Sequence, residues 1–196
     1  MLFGYLSGSV PFGFLIAGRG KGIDIRNFGS GNIGATNIAR ILGFKWGALV
    51  FILDFMKGLL PVLLVFLFLP KGFFLCRIIS ILVALLAVIG HNWPLYLNFK
   101  GGKGVSTSIG VMSALSINLP FLRLPVSLAI VVWLFVFVLS RIVGLASLAA
   151  SFVFFVSSLV MVEPWEFKVL SFLLAFFIAI RHQKNIKEII NKYKAT

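Results

Sequence analysis

The chain has 196 residues, of which 60% are hydrophobic and only 12% charged, and its mean hydropathy is +1.09. Soluble domains are roughly 45–50% apolar and about 25% charged, so this composition excludes an ordinary soluble domain and indicates an integral membrane protein. The net charge of +13 comes without a basic block or an aromatic-basic array, which argues against a nucleic-acid partner.

Apolar stretches separated by basic, proline-containing or glycine-rich breaks predict seven transmembrane helices within a single domain over 1–196. The N-terminal stretch has no basic residue before Arg19 and is interrupted by glycine and proline, so we expect a retained first span rather than a signal peptide. The fourth span is short and rich in Ser, Thr and Gly, which predicts a partial helix or one buried behind its neighbours. The predicted spans are 2–17, 46–69, 78–97, 105–119, 121–139, 142–161 and 165–180.

The distribution of Lys and Arg predicts the orientation of these spans. Thirteen of the 18 basic residues fall on one side of the membrane, four on the other, and Lys57 lies within a span. The positive-inside rule therefore places the N-terminus outside and the C-terminus in the cytoplasm. The predicted cytoplasmic residues are Arg19, Lys21, Arg26, Arg40, Lys45, Lys100, Lys103, Arg141, Arg181, Lys184, Lys187, Lys192 and Lys194. The predicted outer residues are Lys71, Arg77, Arg123 and Lys168.

The first polar interruption is a glycine-rich segment at 29–37. Its glycines match the G-x-G-x-x-G spacing of dinucleotide-binding loops, but that motif requires a preceding strand in a βαβ unit, and the neighbours here are predicted spans. A tight loop that uses glycine only for turning is the simpler alternative. Four short polar side chains favour a site that encloses phosphate oxygens; they are Ser30, Asn32, Thr36 and Asn37.

A second glycine-rich segment covers residues 100–110. It is not a Walker A loop, because no glycine occupies the first position of that motif and Gly104 follows Lys103. Glycine amides, a lysine and hydroxyl groups at the start of a predicted span nevertheless favour an anion. The alternative is that Lys100 and Lys103 are interfacial lysines that meet lipid head groups.

Two predicted cytoplasmic helix junctions add candidates. Arg141, which follows Ser140, offers forked donors that suit phosphate. His182 and Asn185 are three residues apart and share a helix face where the last span emerges. Histidine can exchange a proton near neutral pH or donate to phosphate when charged. The alternative is a solvated cluster at the membrane edge.

Three charged or titratable residues within the predicted spans favour structural roles, and the single cysteine is given none. Asp54 and Lys57 are three residues apart and can form a salt bridge, which we interpret as structural. A second option is that this pair also contacts a neighbouring polar loop. His91 precedes Trp93 at a predicted helix end, and we interpret its role as mainly structural, at a helix end that Trp93 packs against. The lone Cys76 excludes an internal disulfide and a multi-cysteine metal site, and we assign it no role.

Taken in order, these segments resemble the bacterial membrane glycerol-3-phosphate acyltransferases that use acyl phosphate as the acyl donor. The resemblance covers nearly the whole chain, and the order of the motifs makes the set specific. The matching segments are Ser7-Gly-Ser-Val-Pro-Phe-Gly13, 29–37 with Arg40, Asp54-Phe-Met-Lys-Gly58, His91-Asn-Trp-Pro94, Phe99-Lys-Gly-Gly-Lys-Gly-Val105, Ser140-Arg141 and Arg181-His-Gln-Lys-Asn-Ile186.

The resemblance implies transfer of a long-chain acyl group from acyl phosphate to the sn-1 hydroxyl of glycerol 3-phosphate. The products would be lysophosphatidic acid and phosphate, in the first acylation of phospholipid synthesis. It also implies an all-α protein with seven spans in the bacterial inner membrane and a site at the cytoplasmic face. We expect the two substrates and membrane lipid as partners, and no cofactor, metal, nucleic acid or obligate protein partner.

The candidate residues divide by expected role. The expected catalytic residues are His182, Asn37 and Lys103. The expected acyl-phosphate site contains Ser30, Gly31, Asn32, Thr36, Asn37, Gly101, Gly102, Lys103 and Gly104. The expected glycerol-3-phosphate site contains Arg40, Lys100, Ser140, Arg141, His182 and Asn185.

Two alternatives stay open at this point. The proton acceptor is either His182 or a phosphate oxygen of a substrate, whose second pKa of about 6 suits the task. The competing class of protein is a transporter or channel for an anionic phosphorylated solute, which also needs basic residues and glycine-broken spans. Its polar groups should continue across the bilayer, and the outer half of this chain shows few.

Overall fold

A computed structural model describes residues 1–69 and 74–187. Within these ranges every regular element is a helix and no strand occurs, so the predicted all-helical fold is confirmed. The α-helices are α1 (Leu2–Ser9), α2 (Phe12–Lys21), α3 (Ala35–Leu42), α4 (Phe44–Phe68), α5 (Phe74–Asn92), α6 (Val105–Asn118), α7 (Arg123–Ser140), α8 (Val143–Met161) and α9 (Trp165–Arg181).

The chain divides into two compact units. The first is Met1–Asn118, and the second is Leu119–Thr196, which is described as far as residue 187. In the first unit α4 packs against α1, α3, α5 and α6. In the second unit α8 packs against both α7 and α9. The expectation of a single domain over 1–196 stays a prediction.

The N-terminal apolar stretch, predicted as a span over 2–17, forms two short helices rather than one continuous helix. α1 ends at Ser9 and α2 begins at Phe12, while Val10 between them has extended backbone with φ −60° and ψ 116°. The ring of Pro11 explains the break, because proline disfavours the α conformation of the residue before it. The Val10 carbonyl accepts a hydrogen bond from Lys57 Nζ of α4 at 2.8 Å.

The fourth predicted span is a short helix. The 14 residues of α6 extend about 21 Å at 1.5 Å per residue, whereas the hydrocarbon core of a bilayer is about 30 Å thick. α6 lies close against α4 at Gly58, where a Cβ atom would overlap the Thr107 carbonyl. This close approach explains how a helix that carries several hydroxyl groups is accommodated among longer apolar helices.

Four helices in the described residues are long and apolar enough to cross a membrane. They are Phe44–Phe68, Phe74–Leu97, Pro120–Ser140 and Val143–Met161. These segments confirm the membrane class, whereas the count of seven spans and the orientation stay predictions. Three of the basic residues used to predict that orientation lie outside the described residues, namely Lys71, Lys192 and Lys194.

Candidate active site

The segment 29–37 is shaped by the side chain of Asn37. This side chain is buried, and its amide nitrogen donates to the carbonyl groups of Phe28 at 3.0 Å and Asn32 at 2.9 Å. Its Oδ1 accepts from the backbone amide of Ser30 at 2.9 Å. Both amide hydrogens of Asn37 therefore hold the loop closed, which is a scaffolding task that the sequence alone does not reveal.

Polar side chains of this segment remain at the surface once the loop is closed. The Oδ1 atom of Asn32 accepts from the Gly34 amide at 2.8 Å and forms a tight local turn. Ser30, Thr36 and Arg40 are exposed, and Arg40 lies on α3, the helix that begins directly after the segment. The structure thus supplies a compact loop with hydroxyl groups and one guanidinium available at its surface.

The carboxylate nearest to this loop in sequence is engaged in an ion pair. Asp24 accepts hydrogen bonds from the backbone amide and the guanidinium of Arg26, and its Oδ2 lies 2.6 Å from Arg26 Nη2. These hydrogen bonds hold the pKa of Asp24 below its ordinary value. A carboxylate with a lowered pKa is a weaker base, so Asp24 is poorly suited to accept a proton from a substrate hydroxyl.

The segment 101–104 lies against the C-terminal end of α5. The Gly102 amide donates to the His91 carbonyl at 3.0 Å. A Cβ atom at Gly102 would overlap Nε2 of the His91 ring, so the backbone there rests directly on the imidazole. Gly104 has a positive φ of 78°, and α6 begins one residue later. Lys100 is exposed and Lys103 is partly buried.

Both glycine-rich segments lead into helices that are anchored on one face of α4. α3 approaches α4 at Gly47, where a Cβ atom would overlap Ala39. The first turn of α6 is tied to α4 by Thr107 Oγ1, which donates to the Asp54 carbonyl at 3.0 Å. Gly47 and Asp54 are seven residues apart, so they share a face of the helix and lie about 10 Å apart along its axis.

The predicted salt bridge in α4 is confirmed. Lys57 Nζ lies 2.8 Å from Asp54 Oδ1, and both side chains are almost completely buried. His91 of α5 faces the same carboxylate, with Nδ1 3.6 Å from Asp54 Oδ1. Within the described residues no group of three or more His, Cys, Asp or Glu side chains is arranged to hold a metal ion.

In the second unit Ser140 and Arg141 form the corner between α7 and α8. The Ser140 hydroxyl donates to the Val136 carbonyl at 2.7 Å and accepts from the Ile142 amide at 3.1 Å, which caps the end of α7. Arg141 is exposed and has left-handed backbone with φ 58°. This conformation is uncommon outside glycine and ends the helix abruptly at the arginine.

His182 lies at the end of α9 with its ring held in one orientation. The side chain is 2% exposed, and Nδ1 lies 2.8 Å from the Ile178 carbonyl. Because a carbonyl oxygen only accepts, this contact assigns the hydrogen to Nδ1. In the neutral ring Nε2 then carries a lone pair and can accept a proton.

Gly144 brings the two candidate junctions of the second unit together. A Cβ atom at Gly144 would lie 3.3 Å from Asn185 Cγ and 3.4 Å from His182 Cδ2, so both side chains pack against this glycine. Gly144 lies three residues after Arg141, in the first turn of α8. The sequence analysis did not single it out, although a glycine inside a helix costs about 1 kcal/mol relative to alanine and so signals a packing requirement.

The chain matches the family model described as "Glycerol-3-phosphate acyltransferase" over residues 1–192. Among curated relatives of that same name, the Aquifex aeolicus protein is 39% identical over 190 residues, which cover 97% of this chain and 93% of the relative. The Geobacillus kaustophilus protein is 42% identical over 192 residues, which cover 98% of this chain and 91% of the relative.

The similar solved structures are of proteins with the same described activity as these relatives. The crystal structure of PlsY, an integral membrane glycerol 3-phosphate acyltransferase, in its glycerol 3-phosphate form has a TM-score of 0.86 and 38% identity. The lysophosphatidic acid form of PlsY has a TM-score of 0.83 and 37% identity. In both comparisons the match covers 97% of this chain and 90% of the other.

The fold and sequence therefore define an integral membrane acyltransferase of phospholipid synthesis. The chain belongs to the glycerol-3-phosphate acyltransferase family, and its activity is the acylation of glycerol 3-phosphate. This membership decides against the transporter that the sequence analysis kept as an alternative. The roles expected of individual site residues stay predictions.

Proposed function

We propose that the protein transfers a long-chain acyl group from acyl phosphate to the sn-1 hydroxyl of glycerol 3-phosphate and releases lysophosphatidic acid and inorganic phosphate. The observation that carries the proposal is the anchoring of both glycine-rich segments on one face of α4. Two polar segments that carry hydroxyl groups and cations and are anchored on the same helix suit a reaction in which both substrates carry phosphate. The similar PlsY structures in glycerol 3-phosphate and lysophosphatidic acid forms support the same substrate and product.

The donor phosphate is proposed to lie against the two glycine-rich segments. The hydroxyl groups of Ser30 and Thr36 and the ammonium group of Lys103 donate to its oxygens, and Lys103 also neutralises its charge. The glycines of 101–104 let the backbone approach the phosphate closely. An acyl phosphate is a mixed anhydride, which is already activated, so positioning and charge stabilisation suffice without a covalent enzyme intermediate. The residues assigned to this site are Ser30, Gly31, Asn32, Thr36, Gly101, Gly102, Lys103 and Gly104, together with Asn37, which acts through the hydrogen bonds that hold the loop closed.

Glycerol 3-phosphate is proposed to be bound by cationic and polar side chains. Arg141 offers its guanidinium fork to the phosphate, because the left-handed backbone at the end of α7 presents this side chain at the surface. Packing against Gly144 fixes the position of Asn185 beside His182. The residues assigned to this site are Arg40, Lys100, Ser140, Arg141, His182 and Asn185.

The proposed chemical step is a direct substitution at the acyl carbon. The acceptor hydroxyl oxygen attacks that carbon, the bond from the acyl carbon to the phosphate oxygen breaks, and phosphate leaves with the bonding electron pair. Nε2 of His182 accepts the hydroxyl proton, since the hydrogen bond from Nδ1 to the Ile178 carbonyl leaves Nε2 unprotonated in the neutral ring.

We also propose seven membrane spans in the bacterial inner membrane, with the N-terminus outside and the C-terminus in the cytoplasm. The support is the unequal distribution of Lys and Arg between alternate connections. In this orientation both glycine-rich segments and both junctions of the second unit face the cytoplasm, where glycerol 3-phosphate is available.

The proposal is tested with purified protein in detergent micelles. Glycerol 3-phosphate is supplied with either palmitoyl phosphate or palmitoyl-CoA, and both lysophosphatidic acid and released phosphate are measured. Equimolar formation of the two products from palmitoyl phosphate, with no turnover from palmitoyl-CoA, is the expected result. Turnover with the thioester alone would refute the proposed donor while leaving the family's acceptor unchanged.

A further inference from the structure

Three polar side chains that the proposed reaction does not use are clustered in the interior of the first unit. They are Asp54, Lys57 and His91, and the side chains are only 3%, 4% and 4% exposed. Asp54 Oδ1 is their shared point, 2.8 Å from Lys57 Nζ and 3.6 Å from His91 Nδ1. We call these three residues the buried network.

One end of the buried network holds the break between α1 and α2. Lys57 Nζ donates to the Val10 carbonyl at 2.8 Å and lies 5.7 Å from the centre of the Phe12 ring, within cation–π range. In the opposite direction the Ser7 hydroxyl donates to the Lys57 carbonyl at 3.1 Å. The lysine therefore fixes where the two N-terminal helices meet α4.

The other end of the buried network lies directly under the segment 101–104. His91 presents Nδ1 to Asp54, while Nε2 faces the backbone of Gly102, where a Cβ atom would overlap it. The His91 carbonyl also accepts from the Gly102 amide at 3.0 Å. The imidazole is thus enclosed between a buried carboxylate and the glycine-rich backbone.

Stability alone is a weak explanation for such a cluster. A buried ion pair loses its hydration, and well-packed apolar residues of similar volume often replace one with no loss of stability. A fixed polar cluster does, however, determine the position of whatever backbone it contacts. The backbone in contact here belongs to the segment that carries Lys103 and is proposed to bind a phosphate.

We infer that Asp54, Lys57 and His91 are positioning residues, which hold the backbone of 101–104, and with it Lys103, in the arrangement that binds the donor phosphate. The inference rests on the proposed phosphate role of that segment. Asp54 fixes the imidazole, the imidazole supports Gly102, and Lys57 holds Asp54 in place through its bond to Val10. The residues act through the segment and do not touch substrate.

The test uses a double variant, Asp54→Asn with Lys57→Met, which removes both charges together and leaves no unpaired buried ion. A milder variant, His91→Gln, removes the ring beneath Gly102 and keeps the Asp54–Lys57 pair. The matched control is Ser80→Ala, a buried residue of α5 whose hydroxyl donates only within its own helix, to the Arg77 carbonyl.

Two measurements are made on the full-length protein in detergent. Amide hydrogen exchange is followed in peptides that cover 101–104 and 29–37, and inhibition of turnover by inorganic phosphate is titrated. In the double variant we expect exchange at 101–104 to accelerate about tenfold with 29–37 unchanged, and the inhibition constant for phosphate to rise about tenfold or more. The Ser80→Ala control should match the original protein in both.

The outcomes separate this inference from the proposed function. Unchanged exchange at 101–104, or equal acceleration in both peptides, would overturn the inference because the cluster would then have no role or only a global one. Selective acceleration at 101–104 with an unchanged phosphate constant would uphold the positioning of the segment and refute its phosphate role. If the double variant does not fold, His91→Gln decides by the same criteria.

Discussion

Replacement of His182 by Asn tests the proposed proton acceptor most directly. The side-chain amide of Asn can still donate to the Ile178 carbonyl, as Nδ1 of His182 does at 2.8 Å, but an amide cannot accept a proton near neutral pH. The substitution therefore removes basicity while it retains the hydrogen bond that orients the side chain. His182→Ala, which removes both, is the companion variant.

The expected loss in His182→Asn is in kcat. General base catalysis contributes about 10²–10⁴-fold, which corresponds to roughly 2.7–5.4 kcal/mol at 1.36 kcal/mol per tenfold change. We expect kcat to fall within that range and the KM for glycerol 3-phosphate to change by less than about threefold. His182→Ala should lose a further 0.5–1.5 kcal/mol or so of stability, since it also gives up the hydrogen bond to Ile178.

Steady-state turnover of palmitoyl phosphate with glycerol 3-phosphate provides the assay, and thermal unfolding in detergent controls for folding. A kcat within about threefold of the original, together with a KM for glycerol 3-phosphate raised about tenfold, would assign His182 to binding. A substrate phosphate oxygen would then be the proton acceptor, and the reasoning from the Nδ1 hydrogen bond would be refuted.

Three further predictions concern other parts of the protein. Lys103→Ala should lower kcat/KM for acyl phosphate by about 100-fold with normal membrane insertion, because the phosphate loses its counter-charge; near-normal turnover of the purified variant would contradict this. Gly144→Ala should lower kcat/KM about tenfold by crowding Asn185 beside His182, whereas Gly18→Ala, at a position with nothing within 4 Å of an added Cβ, should not. In a Cys-free background, a membrane-impermeant maleimide added to intact cells should label Glu163→Cys and spare Lys184→Cys; the reverse pattern would invert the proposed orientation.

The helical membrane fold was predictable because the length of each apolar stretch can be counted in the sequence. The stretch 44–68 is long, apolar and helical, close to the predicted span 46–69. The first predicted span contains a break between two helices, because a local restriction at Val10, imposed by Pro11, interrupts an otherwise continuous apolar run. The sequence does not show which group binds the backbone carbonyl that the break leaves without a helical partner. In the structure this group is Lys57 of α4, which donates to the Val10 carbonyl.

The candidate site was predictable in composition and only partly in geometry. The sequence identified the polar residues of 29–37 as a set, but it cannot tell that Asn37 is buried and braces the loop while Ser30 and Thr36 are exposed. Likewise, Asp54 and His91 are 37 positions apart in sequence, so no local pattern indicates that they face each other. The spacing of Asp54 and Lys57, by contrast, was sufficient because a salt bridge three residues apart depends only on helix geometry.

Glycine-rich segments pose a physical problem that these buried contacts address. Glycine uncovers the backbone amides that bind phosphate, but it also has the largest conformational freedom to lose, so a loop of glycines is not preorganised by itself. Electrostatic catalysis requires donors that are already fixed before the charge develops. In the first unit that rigidity comes from outside the glycines: from the Asn37 amide in one segment, and from the His91 ring and the Thr107 bond to Asp54 in the other. Substitution of a phosphate-binding residue and substitution of a positioning residue should accordingly have different effects. Replacement of Lys103 should change phosphate affinity alone, whereas replacement of His91 should change both phosphate affinity and amide exchange.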